Sequence, residues 1–140
     1  MIHLNIGSNL ESKFGNRFDN ISKAINLLIG SKLKIIKISN FYQTPSYPNK
    51  KNPYFLNIGV LANYNSDKIT LINEITLIEK KIGRTRTKKN DPRVCDVDII
   101  DFNGLIFENN ILKIPHAKCH LRNFVLYPIL QIDPQWIHPS

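Results

Sequence analysis

The stretch R-V-C-D-V-D-I-I-D, residues 93–101, sets two aspartates, Asp96 and Asp98, in a run whose other members (Val94, Val97, Ile99, Ile100) read as a buried strand. Residues two apart in a strand point the same way. The two carboxylates therefore project side by side, roughly 6.5 Å apart at the backbone, while Val97 and Ile99 face the opposite side. Converging carboxylates repel unless a cation lies between them, and a few hard oxygen donors suit Mg²⁺, which keeps waters and phosphate oxygens as its other ligands. Taken alone, D-x-D is more often an exposed polar face with no ligand. Its company changes that weighting: Arg84, Arg86 and Arg93 lie just upstream, His116 and Arg122 just downstream. Carboxylates for metal and guanidinium forks for phosphate oxygens together meet the needs of a polyphosphate carrying Mg²⁺. Ion pairing to Asp91 or Glu79 is the plainer account of the arginines, and it covers one of them more readily than all.

Phe55 and Asn57 share a strand face. An aromatic ring beside a carboxamide can stack on a planar heterocycle and read its hydrogen-bonding edge, with Phe124 as the opposing ring; each phenylalanine by itself is more often core. The sequence holds neither G-x-x-x-x-G-K-[ST] nor G-x-G-x-x-G, so phosphate chemistry here needs a scaffold other than a P-loop or a Rossmann cradle.

These residues must be positioned by the elements around them. Ile2 to Ile6 alternates as a strand and ends at Gly7-Ser8-Asn9. Phe18, Ile21, Ile25 and Leu28 mark a helix that Gly30 can end, and Leu33 to Thr44 reads as one long strand. Thr44 to Pro53, with three prolines, is a loop. Phe55 to Asn63 returns to strand, with Leu56, Ile58, Val60 and Ala62 on one face. After the cap signal at Asn65-Ser66-Asp67, Leu71, Ile75, Ile78 and Ile82 mark a second helix, stopped by Gly83. The basic segment Arg84 to Arg93 precedes the D-x-D strand. Asn103-Gly104 is a hairpin signal that would pair Leu105 to Phe107 back beside that strand. Ile111 to Ile114 is a further extended piece, and about His120 to Leu130 a third helix. This order predicts an α+β, ferredoxin-like split βαβ fold: a four-stranded antiparallel sheet with two helices on one face, an appended hairpin and a C-terminal helix. The other sheet face would be free for function.

At 140 residues the chain has room for one domain, 1–140. No apolar run approaches the roughly 18 residues a membrane span needs, and no charged leader with an apolar stretch opens the sequence. Cys95 and Cys119 have neither zinc spacing nor a disulfide framework. The expectation is a cytoplasmic protein without a membrane partner. A net charge of +8 and a pI near 9.6 imply an anionic partner. An RNA-binding module on the same fold is one alternative, but Asp96 and Asp98 would repel a phosphate backbone. A metal-dependent phosphohydrolase using the same carboxylates is another.

Several segments together resemble the 6-hydroxymethyl-7,8-dihydropterin pyrophosphokinase family of folate biosynthesis: N-I-G-S-N-L (Asn5–Leu10), F-Y-Q-T-P (Phe41–Pro45), Y-F-L-N (Tyr54–Asn57), E-K-K-I-G-R-T-R (Glu79–Arg86), D-P-R-V-C-D-V-D-I-I (Asp91–Ile100), I-P-H (Ile114–His116) and R-N-F-V-L-Y-P-I (Arg122–Ile129). The resemblance implies transfer of pyrophosphate from ATP to the pterin hydroxymethyl oxygen, with release of AMP, by a monomer that binds no nucleic acid. It implies that Asp96 and Asp98 hold two Mg²⁺ and that Arg86 and Arg93 are catalytic. Glu79, Arg84, His116 and Arg122 would bind ATP, and Thr44, Pro45, Phe55, Asn57 and Phe124 the pterin. The chain departs from the family's W-G-P-R in having Asn90-Asp91-Pro92-Arg93, in a loop one residue shorter, and carries Ala117 where an aromatic often follows Pro-His.

Overall fold

The computed structural model describes residues 1–45, 51, 54–84, 93–116 and 123–139, without the side chains of Asn123 and Phe124. The apolar alternation of the N-terminal segment forms β1 (Ile2–Ser8), buried along its whole length because sheet partners and helices cover it. The helix α1 (Arg17–Gly30) follows, begun by a reciprocal capping box between Asn16 and Asp19. Then come β2 (Lys34–Ile38), β3 (Tyr42–Thr44), β4 (Phe55–Asn63), α2 (Lys68–Ile82), β5 (Asp96–Phe102), β6 (Phe107–Glu108), β7 (Lys113–Ile114) and α3 (Asn123–Ile132). Asp67 caps α2 through the Thr70 N–H, and left-handed Gly83 ends it, as the sequence predicts.

The main sheet runs β2-β4-β1-β5 with every pairing antiparallel, and β3 adds a second short partner to β4. This is the split βαβ order expected of a ferredoxin-like fold. One face carries the core: Ile21, Ala24 and Leu28 of α1 and Leu71, Ile75, Ile78 and Ile82 of α2 pack on Ile2, Leu4, Ile6, Leu56, Ile58, Val60, Val97 and Ile99. Among the described residues no helix is long and apolar enough to cross a membrane.

The structure departs from the sequence reading in three places. Leu33–Thr44 is two strands, broken where the Ser39 hydroxyl accepts the Gly59 N–H at 2.8 Å and the Asn40 N–H turns to Gln131 Oε1 at 3.0 Å. The Asn103-Gly104 turn forms with both residues at positive φ, but Leu105–Phe107 does not return to β5; Phe107–Glu108 pairs instead with Lys113–Ile114. The Asn109 carboxamide, accepting from the Ile111 and Leu112 N–H groups, closes that hairpin. The third difference concerns the face expected to be free, which α3 partly covers. Pro128 lies against Gly59, where an added Cβ would stand 3.0 Å from the proline backbone and ring, and Val125 and Ile129 pack with Ile100 and Trp136. His3 Nε2 meets Asp133 Oδ2 at 2.8 Å, and Trp136 Nε1 donates to Asp101 Oδ2 at 2.8 Å, so the segment after α3 is fixed to the sheet.

Candidate active site

The face shared with α3 is polar where α3 does not reach. Gly7 of β1 pairs with Asn57 on β4 and with Asp96 on β5, and Asn5 pairs with Gly59 and Asp98. Paired residues share a face, so Asn57, Asp96 and Asp98 project together, with Asn57 and Asp96 two strand spacings or roughly 10 Å apart. Gly7 between them leaves room for the carboxamide: a Cβ there would stand 2.6 Å from Asn57 Oδ1 and would displace it. Thr44 pairs with Phe55 and Tyr42 with Asn57, which puts Thr44 and Phe55 on this face as well. The alternation holds up to Ile99; a bulge opposite His3 and Leu4 then turns both Ile100 and Asp101 toward α3.

The carboxylates are crowded by cations. Arg84 Nη1 lies 2.6 Å from Glu79 Oε2 and 3.0 Å from Asp96 Oδ1, and Arg93 Nη1 lies 2.8 Å from Asp96 Oδ2. His116 Nε2 is 3.6 Å from Asp98 Oδ1, an ion-pair separation too long for a hydrogen bond. Arg84 thus makes the plainer pairing with Glu79 and reaches the metal candidate too. Asp96, Asp98, Arg84, Arg93 and His116 keep between 19% and 30% of their side-chain exposure, so a solute can reach them. Glu79 forms the floor, its Oε2 accepting the Val97 N–H at 2.9 Å along the outer edge of β5.

Burial, with the charge of Asp96 beside it, raises Glu79 to about 7 against the bonds from Val97 and Arg84. Burial and then Asp96 and Glu79 hold Asp98 well above the usual carboxylate range, with Arg93 and Arg84 opposing. For Arg84 burial disfavours the charge, but Asp96 and Glu79 outweigh it and the net direction is up. Cys95 is fully buried and its thiol is pushed up, chiefly by burial, so it is no nucleophile. Among the described residues Glu79, Asp96 and Asp98 converge on Arg84 and Arg93, and the raised Glu79 and Asp98 are groups whose charge a divalent cation would favour. Two buried donors, Asn57 Nδ2 and Arg93 Nε, have no partner among the described residues. Acceptors on a ligand would satisfy both: a heterocycle edge for the amide, an anionic oxygen for the guanidinium.

Of the residues singled out in the sequence, Glu79, Arg84, Arg93, Asp96, Asp98 and His116 come together at the start of β5, Phe55 and Asn57 stand two strands away on the same face, and Thr44 one strand further. Pro45 follows β3 and is exposed. Arg86 and Arg122 lie outside the described residues, and Phe124 is described only as backbone in the first turn of α3. Asn9 was read only as part of a turn, yet it brackets the arginine that feeds the site: its N–H donates to the Arg93 carbonyl at 3.0 Å and its Oδ1 accepts the Arg93 N–H at 2.6 Å. Its place directly after a strand, in Gly-Ser-Asn, was the available signal. An open cleft of about 410 Å³ beside Asn9, Leu10, Glu11 and Phe18 is lined by none of Glu79, Asp96 and Asp98 and is not the centre of the chemistry.

Residues 3–134 match the model of the 7,8-dihydro-6-hydroxymethylpterin-pyrophosphokinase family. The 2-amino-4-hydroxy-6-hydroxymethyldihydropteridine pyrophosphokinase of Aquifex aeolicus is 34% identical over 138 residues, covering 99% of this chain and 83% of that protein. The Bacillus subtilis protein of the same description is 32% identical over 127 residues, 90% of this chain and 76% of its own length. The folic acid synthesis protein fol1 of Schizosaccharomyces pombe is 31% identical over 138 residues, but this chain spans only 18% of it.

Proposed function

Since the chain belongs to the 7,8-dihydro-6-hydroxymethylpterin-pyrophosphokinase family, we propose that it transfers pyrophosphate from ATP to the hydroxymethyl oxygen of 6-hydroxymethyl-7,8-dihydropterin in folate synthesis. The observation that carries the reading is the convergence of Asp96, Asp98 and Glu79 with Arg84 and Arg93 on an accessible sheet face. Asp96 and Asp98 are the residues to hold Mg²⁺, two ions in this reading. Held there, Mg²⁺ would neutralise phosphate charge and would lower the pKa of the attacking hydroxyl. In this reading Asn57 reads the pterin edge with Nδ2, which has no partner among the described residues, Phe55 and Phe124 would enclose the ring, and Thr44 and Pro45 would border it. Arg84 and Arg93 pair with Asp96, and their guanidiniums are the groups that would serve the phosphate oxygens of a bound nucleotide. Arg86, His116 and Arg122 complete the triphosphate contacts. In the chemical step the hydroxyl oxygen forms a bond to the β-phosphorus and gives up its proton to solvent, while the bond from that phosphorus to the α-bridging oxygen breaks and AMP leaves with that oxygen.

Both substrates are small molecules, and the carboxylates on the open face oppose a nucleic-acid ligand. We read the active form as a cytoplasmic monomer. The test is product analysis with purified protein, ATP, Mg²⁺ and the pterin: AMP should form only when the pterin is present. ADP, or AMP formed without pterin, would instead identify a hydrolase or a different kinase.

A further inference from the structure

β3 is three residues long and carries Thr44 opposite Phe55. So short a strand makes few ladder bonds, and side chains from two helices fix it. From α3, Gln131 Oε1 accepts the Tyr42 hydroxyl at 2.7 Å and the Asn40 N–H at 3.0 Å. From the opposite side the first turn of α1 reaches it twice. Phe18 packs edge-on against Phe41, ring centroids 5.0 Å apart, and Arg17 Nη2 donates to Gln43 Oε1 at 3.3 Å. Arg17 Nη1 also donates to the Tyr54 carbonyl at 2.8 Å, on the residue directly before Phe55. One planar guanidinium therefore spans the end of β3 and the beginning of β4.

Helix chemistry does not account for a cation at this place. Arg17 is the first residue of α1, where the helix dipole disfavours positive charge, and the Asn16–Asp19 capping box begins the helix without it. Two acceptors, one on β3 and one directly before β4, do account for it, because a rigid fork can serve both at once and an ammonium serves one less well.

We infer that Arg17 is a positioning residue for the heterocycle half of the site. It fixes the ends of β3 and β4 relative to each other, and hence Thr44 against Phe55 and Asn57. The inference rests on the pterin reading of that face. Arg17 itself need touch neither substrate.

The experiment compares Arg17→Ala, Arg17→Lys and Gln43→Ala with wild type in steady-state kinetics, varying pterin and ATP separately at saturating Mg²⁺, alongside thermal unfolding. Arg17→Ala should raise the pterin KM by about fivefold to tenfold, the effect of about one ordinary hydrogen bond's worth of positioning, with the ATP KM within about twofold. Arg17→Lys should fall between, and Gln43→Ala, which alters an exposed side chain, should reproduce part of the shift. A role confined to stability would lower the melting temperature and leave both KM values alone. That result overturns the inference, as does an equal rise in both KM values. If wild type forms no AMP from pterin and ATP, the proposed reaction falls and this inference with it; an unchanged pterin KM in active Arg17→Ala defeats the role of Arg17 alone.

Discussion

Replacing Glu79 by Gln tests the electrostatics of the site without any substrate. The carboxylate is buried, bonded at 2.9 Å by the Val97 N–H and at 2.6 Å by Arg84, yet its pKa is raised from 4.5 to about 7. At 1.36 kcal/mol per pH unit, that gap corresponds to about 3 kcal/mol. The folded state holds the proton more tightly than the unfolded chain. The contribution is therefore fully present below pH 4.5 and is lost as pH rises through 7. Asp98, also raised, adds a loss of the same sign. The metal-free protein should thus lose stability between pH 5 and pH 8. Glu79→Gln has no proton to lose there, and removing the charge also relieves Asp98. Urea unfolding in EDTA, for both proteins at both pH values, gives the loss for each. The difference between the two losses cancels any cost of the substitution that does not depend on pH, and it should be about 2–3 kcal/mol. Equal losses in both proteins, or a wild type that gains stability toward pH 8, would refute the reasoning.

Asp98→Asn removes a desolvated charge beside Asp96 and Glu79, so the metal-free fold should keep its stability or gain about 1 kcal/mol while turnover falls at least about a hundredfold; a clear drop in urea midpoint would contradict this. Mg²⁺ should raise the melting temperature of wild type more at pH 8 than at pH 6, since its acceptors must be ionised, and should not do so in Asp98→Asn. Asn57→Ala should cut kcat/KM for the pterin by about 10- to 100-fold with the ATP KM unchanged, an expectation checked by varying each substrate in turn. Gly59→Ala forces a methyl to 3.0 Å from the Pro128 backbone and should cost about 1–3 kcal/mol in urea unfolding, whereas Gly30→Ala, with nothing within 4 Å, should cost nothing.

The elements set by local chemistry were legible, and the misread ones depend on partners far away in sequence. The caps of α2, the faces of β4 and the Asn103-Gly104 turn follow from Asp67, from strict alternation and from residues that tolerate positive φ. Leu33 to Thr44 is continuously β-favouring, and nothing local marks the break at Ser39, whose hydroxyl answers to Gly59 twenty residues on. The coverage of the second face by α3 depends on Gly59 leaving room for Pro128, a match between residues 69 positions apart. The β6–β7 pairing is a different kind of error, because its signal was local: Asn109 folds its carboxamide onto the next turn's N–H groups and outcompetes the pairing of Leu105–Phe107 with β5.

For the site, period two was enough to place Asp96 and Asp98 together, because the bulge that upsets the alternation of β5 begins only after Ile99. The floor of the site was missed by the residue pattern, although the signal was there. The apolar positions of α2, Leu71, Ile75, Ile78 and Ile82, define one stripe, and Glu79 stands four residues after Ile75 and three before Ile82, on that same stripe. A carboxylate in such a place must be neutral, paired or completed by a ligand. Here Arg84 pairs it only while also serving Asp96, one guanidinium between two carboxylates with a third close by. The D-x-D by itself is compatible with an exposed face that binds nothing. A charge on the apolar stripe of the neighbouring helix is not, and together they set three carboxylates around Arg84 and Arg93 at the edge of an accessible face, a setting that a divalent cation would complete.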